Sequence, residues 1–342
     1  MLVNLLGNLS ERISTKSPSF LLVIGTTDVS LIPGVTIAGA TPELTMVTPA
    51  ADAEYLITGT CKTIKGVPVT PDGIPTPAVL TRASLSFLRV DKLIVNAGAR
   101  VKPLISFVDL HGEPGRDIRK GGVRKEVGER IIQNAILLAE SLSSHDLLMI
   151  GESIPAGTTT AAAVLTGLGF DGVQIVSSAS PNNPKDLKRT IVNEALARAP
   201  SDVRERIFWL SDPVLLAVAG LAIGFKGQVV LAGGTQMTAV AAIIRELAPE
   251  RLRDVGIMTT RWIVKDSSAN ILKVSKELDI NLSYSDIDLG RSKYNGLRVY
   301  ERGIVKEGVG AGGALGLAMN SGIGEDQLLQ KIERFYSYLI NS

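Results

Sequence analysis

Three turns in this chain place glycine beside threonine or serine where an aliphatic run ends and a helix of small residues begins. They read Gly151-Glu152-Ser153-Ile154-Pro155-Ala156-Gly157-Thr158-Thr159-Thr160, Gly233-Gly234-Thr235 and Glu307-Gly308-Val309-Gly310-Ala311-Gly312-Gly313. Glycine permits a tight turn and a close backbone approach to a ligand. A helix start offers unpaired N–H groups and the positive end of a dipole, so a phosphate is the natural guest. Close helix–sheet packing explains any one such turn equally well; three together favour an anionic ligand. Two of the turns carry a glutamate, Glu152 and Glu307. A carboxylate there either caps orphan N–H groups or, beside a bound phosphate, serves as acid or base once burial raises its proton affinity. Their place at strand ends favours the second reading.

Other chemistries find less support. Gly308-x-Gly310-x-x-Gly313 has the spacing of a dinucleotide fingerprint, but no second strand with a terminal acid follows it. A Walker A sequence is absent, as is a strand ending in paired acids before a Gly/Thr loop, so the expected ligand is a monophosphate bound without metal. One cysteine, Cys61, and two histidines, His111 and His145, provide neither an internal disulfide nor a zinc cluster. No resident cofactor is expected. Asp109 and His111 open a charged loop running to Asp117 that reads as a site wall or a solvated loop, and His145 reads as a surface residue.

The turns need a scaffold. Hydrophobic residues make up 45% of the 342 and aromatics 4%, a composition that suits helices packed on a parallel sheet. The formal charge of +2 carries no footprint for nucleic acid. The apolar run Val214–Phe225 is too short to span a bilayer and reads as a buried core helix. With no basic leader followed by a cleavage site, a cytoplasmic protein without membrane or nucleic-acid partners is expected.

Strands are predicted at Phe20–Ile24, Tyr55–Ile57, Leu93–Asn96, Ile105–Leu110, Leu147–Ile150, Val173–Val176, Val229–Leu231 and Gly256–Met258. Helices are predicted at Pro77–Leu88, Lys125–Ser143, Thr158–Leu168, Pro184–Ala199, Pro213–Ile223, Thr235–Leu247 and Ser267–Leu278. Thr76 and Asn183 precede prolines that fit a first helical position. The alternation predicts an α/β fold, a Rossmann-like parallel sheet flanked by helices, with ligands at the carboxyl ends of the strands. Leu2, Leu5, Leu6, Leu9 and Ile13 fall at helical spacing, as do Leu328, Leu329, Ile332, Tyr336 and Leu339. The two ends are therefore expected to pair as a small helical subdomain, residues 1–19 with 321–342, on a core of residues 20–320.

Together these residues resemble the nicotinate-nucleotide:dimethylbenzimidazole phosphoribosyltransferase family, as a divergent branch. Gly151 to Ala163 resembles its GE-x-GIGNTTSAAA segment, and Lys306-Glu307-Gly308-Val309-Gly310-Ala311-Gly312-Gly313-Ala314 looks like its GEGTGAALA signature. Weaker parallels run in order: Phe107-Val108-Asp109 with Arg116–Gly121, Asp186–Leu196, Asp212–Gly220 and Gln228–Ala242. The resemblance covers roughly residues 65–320. It implies transfer of the ribosyl phosphate of nicotinate mononucleotide to a benzimidazole-type base, usually by a homodimer. It also implies that Glu307 is the general base and that Glu152 supports it near the ribose. Gly157, Thr158 and Thr159, with Lys188 or its neighbour Arg189, would hold the phosphate, beside Gly233, Gly234, Gly308 and Gly310. The chain departs from the family in lacking a Pro-x-Gly-Ser-Leu-Gly element, in reading Gly157-Thr158-Thr159 for Asn-Thr-Thr, in having Val264-Lys265-Asp266 where a serine falls, and in about ten extra residues near Tyr284–Asn295. The residues alone leave open hydrolysis of a nucleoside monophosphate by water activated at Glu307, or a nucleotide sensor without catalysis.

Overall fold

The computed structural model describes residues 1–39, 41–64 and 73–341; residues 65–72, at the start of the family resemblance, and Ser342 lie outside the described residues. Eight strands form one sheet: β1 Leu2–Leu6, β2 Pro18–Gly25, β3 Asp91–Gly98, β4 Val108–Asp109, β5 Leu147–Ser153, β6 Gln228–Ala232, β7 Val255–Thr260 and β8 Asn281–Ser285. Their order is β1-β8-β7-β6-β5-β2-β3-β4. All neighbours are parallel except β1, which runs antiparallel to β8 along one edge. From β2 the chain builds outward to β3 and β4, then returns to the other side of β2 for β5. The switch point, where such sheets open a crevice at the strands' carboxyl ends, therefore lies between β2 and β5.

Eleven helices of seven residues or more lie among the described residues: α1 Pro42–Thr58, α2 Ala78–Leu85, α3 Lys125–Ser141, α4 Gly157–Gly167, α5 Lys185–Leu196, α6 Val203–Leu210, α7 Pro213–Gly224, α8 Gln236–Leu247, α9 Ile271–Glu277, α10 Ala311–Asn320 and α11 Glu325–Ile340. Strand side chains alternate between two cores, as a sheet covered on both faces requires. Leu21, Val23, Leu148 and Ile150 meet α3, α4, α7 and α8; Phe20, Leu22, Leu147 and Met149 meet α1, α2, α10 and α11. The predicted core helix is α7, started by the Asp212 side chain with Pro213 in its first turn. A Cβ on Gly220 or Gly224 would lie 2.8 or 2.6 Å from the backbone oxygens of Ile132 and Ile136, so glycine sets how closely α3 approaches.

Several expectations need correction. Tyr55–Ile57 is no strand: it ends α1, which starts with the Thr41 cap and Pro42 and stops at Gly59, φ +82°. Val173–Val176 forms a helical turn, Gly172–Ile175. Ile105–Leu110 contributes two strand residues, and α9 starts at Ile271 rather than Ser267. Thr76 does accept a hydrogen bond from the Ala78 N–H at 3.2 Å, but Asn183 turns its side chain to Val176, Ser268 and Lys188. His145 is half-buried, with Nδ1 near the Ser17 hydroxyl.

The chain termini depart most. The C-terminal helix α11 is formed and packs on α2, but Leu2–Leu6 is the edge strand β1 and only Leu9–Arg12 is helical. Gly7, φ +64°, turns the chain between them. Leu9 is fully buried over Gly256, where a Cβ would sit 2.6 Å from its Cδ1. Leu9→Ala is expected to cost ~2–5 kcal/mol in urea unfolding; a loss below ~1 kcal/mol would mean that the segment is not part of the core.

Candidate active site

The three glycine turns converge at the carboxyl ends of β5, β6 and β7. Glu152 sits on β5 beside Val23 of β2, at the switch point. The first turn enters α4 through Ala156, φ +64°, a conformation that side chains seldom adopt. The third lies across the sheet end. Val309 N–H donates to the Glu152 carbonyl at 2.8 Å, and Thr260 Oγ1 donates to the Lys306 carbonyl at 2.7 Å. First and third turns meet at glycine: a Cβ on Gly151 would lie 2.9 Å from the Gly310 Cα. The second turn lies against both, since a Cβ on Gly234 would lie 3.6 Å from the Glu307 Cβ and one on Gly157 would strike the Gln236 side chain.

Glu307 is half-buried, with its carboxyl packed against Gly312. It accepts from the N–H groups of Gly308 (3.1 Å) and Gly312 (3.1 and 3.2 Å), with the Thr259 hydroxyl at 3.5 Å. Burial pushes its proton affinity up to about 7, against those hydrogen bonds. Glu152 is buried, with the Gln236 amide donating to Oε1 at 2.9 Å. Burial, and then the negative charges of Glu307, Asp212 and Asp52, push it up to about 8. Both carboxyls therefore hold protons well above the ordinary carboxylate range, towards the neutral pH at which acid–base catalysis works.

Two buried aspartates complete the surroundings. Asp52, from α1, accepts from Thr76 at 2.6 Å and from Ser153 at 2.7 Å. Asp212 caps α7 through the N–H groups of Val214 and Leu215, and takes the Thr160 hydroxyl. Burial raises both to about 6, against these bonds. Neither aspartate was singled out from the sequence, nor was Gln236. An acid inside the apolar stretch Ala50-Ala51-Asp52-Ala53 was the available signal for Asp52. Among the described residues, no three His, Cys, Asp or Glu side chains group to hold a metal ion, and no helix is long and apolar enough to cross a membrane.

Thr158 and Thr159 lie in the first turn of α4; Thr159 is buried, and its hydroxyl has no hydrogen-bond partner among the described residues. Gly233 and Gly234 follow β6. Lys188 is fully buried, and its ammonium donates to the Ser177 carbonyl at 2.7 Å and Asn183 Oδ1 at 2.9 Å. Burial, and then Lys306 beside it, lower its proton affinity to about 7. It thus secures the segment following the Gly172–Ile175 turn, whose Ser177 N–H donates to Thr235 Oγ1 of the second glycine turn at 2.9 Å. Arg189 instead pairs with Asp186 at the surface. Asp109 is paired with Lys102 and accepts from the His111 N–H.

These buried carboxyls imply a pH dependence. Asp52, Asp212, Glu307 and Glu152 hold protons to higher pH folded than unfolded. Between the ordinary carboxylate range and their raised values the folded chain binds more protons, so stability falls as pH rises. Glu152's contribution is fully present below about pH 4 and is lost as pH passes about 8. Lys188, lowered to about 7, acts in the opposite sense above that pH. Glu152→Gln is expected to shrink the loss of stability between pH 5 and 8 by ~1–3 kcal/mol in urea unfolding; an unchanged loss would mean that Glu152 ionises normally.

A scan against protein-family models finds no match. In fold the chain is similar to the nicotinate-nucleotide-dimethylbenzimidazole phosphoribosyltransferase of Thermus thermophilus, with a TM-score of 0.64 and 17% identity over 95% of this chain and 84% of that one. A second structure from that organism, CobT, gives 0.63 and 16%, covering 95% and 85%. In sequence it is 68% identical over 342 residues to a UPF0284 protein of Metallosphaera sedula, covering 100% of this chain and 99% of the relative. A UPF0284 protein of Sulfurisphaera tokodaii is 58% identical over 318 residues, 93% and 92% of the two chains. With identity of this order along the whole chain, the protein belongs to the UPF0284 family.

Proposed function

We propose that this protein is a phosphoribosyltransferase that moves the ribosyl phosphate of nicotinate mononucleotide to a benzimidazole-type base, giving an α-ribazole phosphate and nicotinate. The observation that carries this reading is the Glu307 carboxyl, enclosed among three glycine turns with a proton affinity near neutrality. The motif resemblance and the shared fold agree with it. The base nitrogen attacks the ribose anomeric carbon as the C–N bond to the pyridinium breaks. That bond's electron pair passes to the departing nicotinate nitrogen, so the leaving group needs no acid. The attacking base must instead shed its N–H proton, and Glu307 takes it. Glu152, its carboxyl raised by burial and by its acidic neighbours, lines the ribose side. The starts of α4 at Gly157, Thr158 and Thr159 and of α8 after Gly233 and Gly234 face the phosphate, while the start of α10 gives its Gly308 and Gly312 N–H groups to Glu307 and places Gly308 and Gly310 beside the ribose. In this reading Lys188 serves the phosphate by fixing the Ser177 segment against Thr235. The further implications of the resemblance, a homodimer working in the cytoplasm, belong to the same proposal.

Acceptor dependence tests it. Nicotinate release from nicotinate mononucleotide is expected to rise with added base and saturate. Release independent of base would assign hydrolysis, and nucleotide binding without release would assign a sensor.

A further inference from the structure

Behind Glu307 lies a buried constellation for which the proton transfer itself has no use. Val305 and Lys306 lie at φ +71° and +62°. Lys306 N–H donates to the Ile304 carbonyl at 3.0 Å and Glu307 N–H to the Val305 carbonyl at 2.8 Å. These are two successive three-residue turns with a positive-φ residue at each centre, a rare and strained arrangement that persists only where its surroundings enforce it. A branched valine and a long lysine are poor occupants of such positions, so something else must hold the turn.

The Lys306 side chain supplies that hold. It is 2% exposed, and its ammonium donates to the Ser178 carbonyl (2.8 Å), the Ser180 carbonyl (3.2 Å) and Asp266 Oδ2 (2.8 Å). All three of its N–H groups thus have acceptors. Asp266 also accepts from the Ser177 hydroxyl and the Ser268 N–H. Val305 N–H donates to the Ala179 carbonyl at 2.8 Å, so the two residues before Glu307 are stitched to residues 177–180 by backbone and side chain alike. The Glu307 carboxyl takes its own hydrogen bonds from Gly308, Gly312 and Thr259. Lys306 therefore reaches Glu307 through the backbone.

We propose that Lys306 is the positioning residue for Glu307: its ion pair with Asp266 and its bonds to residues 178 and 180 hold the strained turn that sets the Glu307 carboxyl against Gly308 and Gly312 among the glycine turns. The consequence for catalysis rests on the transferase reading; the geometric claim does not. Lys306→Gly is the incisive variant, because glycine adopts positive φ freely and the fold should survive. Expected is a fall in kcat of ~10–100-fold with KM for nicotinate mononucleotide changed less than ~threefold. In a Glu307→Gln background, Lys306→Gly should add less than ~twofold. Carbon-13 NMR of glutamate-labelled protein, with the Glu307 signal identified by its loss in Glu307→Gln, needs no turnover. Its titration midpoint should move in Lys306→Gly towards the ordinary glutamate range as water reaches the carboxyl. An unchanged kcat, an undiminished effect in the Glu307→Gln background, or an unmoved titration would each overturn the proposal. If the parent chain performs no transfer, the transferase reading fails while the NMR titration still decides the latch. Should Lys306→Gly not fold, Asp266→Asn, which removes the ion pair's negative charge, is read in the same ways.

Discussion

Replacing Glu307 by glutamine is expected to lower transfer turnover by ~10²–10⁴-fold, the usual contribution of a positioned base. The substitution keeps the size of the side chain and an acceptor oxygen for the N–H groups of Gly308 and Gly312, so the fold and nucleotide affinity should persist. The loss belongs in kcat rather than KM, because the proton is taken only as the new bond forms. It should also remove the ascending limb of the pH–rate profile near pH 7, where Glu307 loses its proton. Steady-state kinetics across pH 5–9 check both points, and near-parental turnover would remove Glu307 from the mechanism.

Gly312→Ala should be damaging at the lower end of that range while leaving every titratable side chain in place. A Cβ there would lie 2.2 Å from the Thr259 carbonyl carbon and 2.6 Å from Glu307 Oε2. The first contact is with the backbone of a buried central strand, which cannot move aside as a flexible side chain would. Overpacking of this kind costs ~1–3 kcal/mol, and a shift of about 1 Å at the reacting group can cost ~10²-fold in rate. Unfolding midpoints and kcat measured together are expected to fall together. An alanine variant of unchanged stability and rate would mean that α10 does not start against β7 as described.

The sheet was legible wherever a strand is aliphatic. Phe20–Ile24, Leu93–Asn96, Leu147–Ile150, Val229–Leu231 and Gly256–Met258 are buried on both faces and read as apolar runs for that reason. Asn281–Ser285 escaped because its composition is polar: Ser283 and Ser285 are fully buried, their hydroxyls satisfied by Asn4 and the Thr259 carbonyl. A serine with such a partner looks like loop in the sequence. Leu2, Leu5, Leu6 and Leu9 matched helical spacing by coincidence, and Gly7 between them was the breaker that should have counted. Tyr55–Ile57 went astray because Pro49 inside α1 masks a helix that Thr41, Pro42 and Gly59 delimit.

The site was legible in its glycines and two glutamates, whose spacing along the chain signals strand-to-helix turns. Its supporting charges were not. Asp52, Asp212, Asp266 and Lys306 act through partners remote in sequence, such as Ser153, Thr160 and Ser178, and only the topology brings these together. Lys188 reads from the sequence as a cation for phosphate, and its buried ammonium donates to Ser177 and Asn183, partners that the sequence does not reveal.

The most direct measurement is mass spectrometry of purified protein incubated with nicotinate mononucleotide and a panel of aromatic nitrogen bases. Transfer by Glu307 is expected to yield nicotinate together with the mass of one base joined to ribosyl phosphate, and Glu307→Gln should cut the rate of both by the same ~10²–10⁴-fold. Nicotinate without any ribosylated base, or unconsumed nucleotide with every base tried, would contradict it.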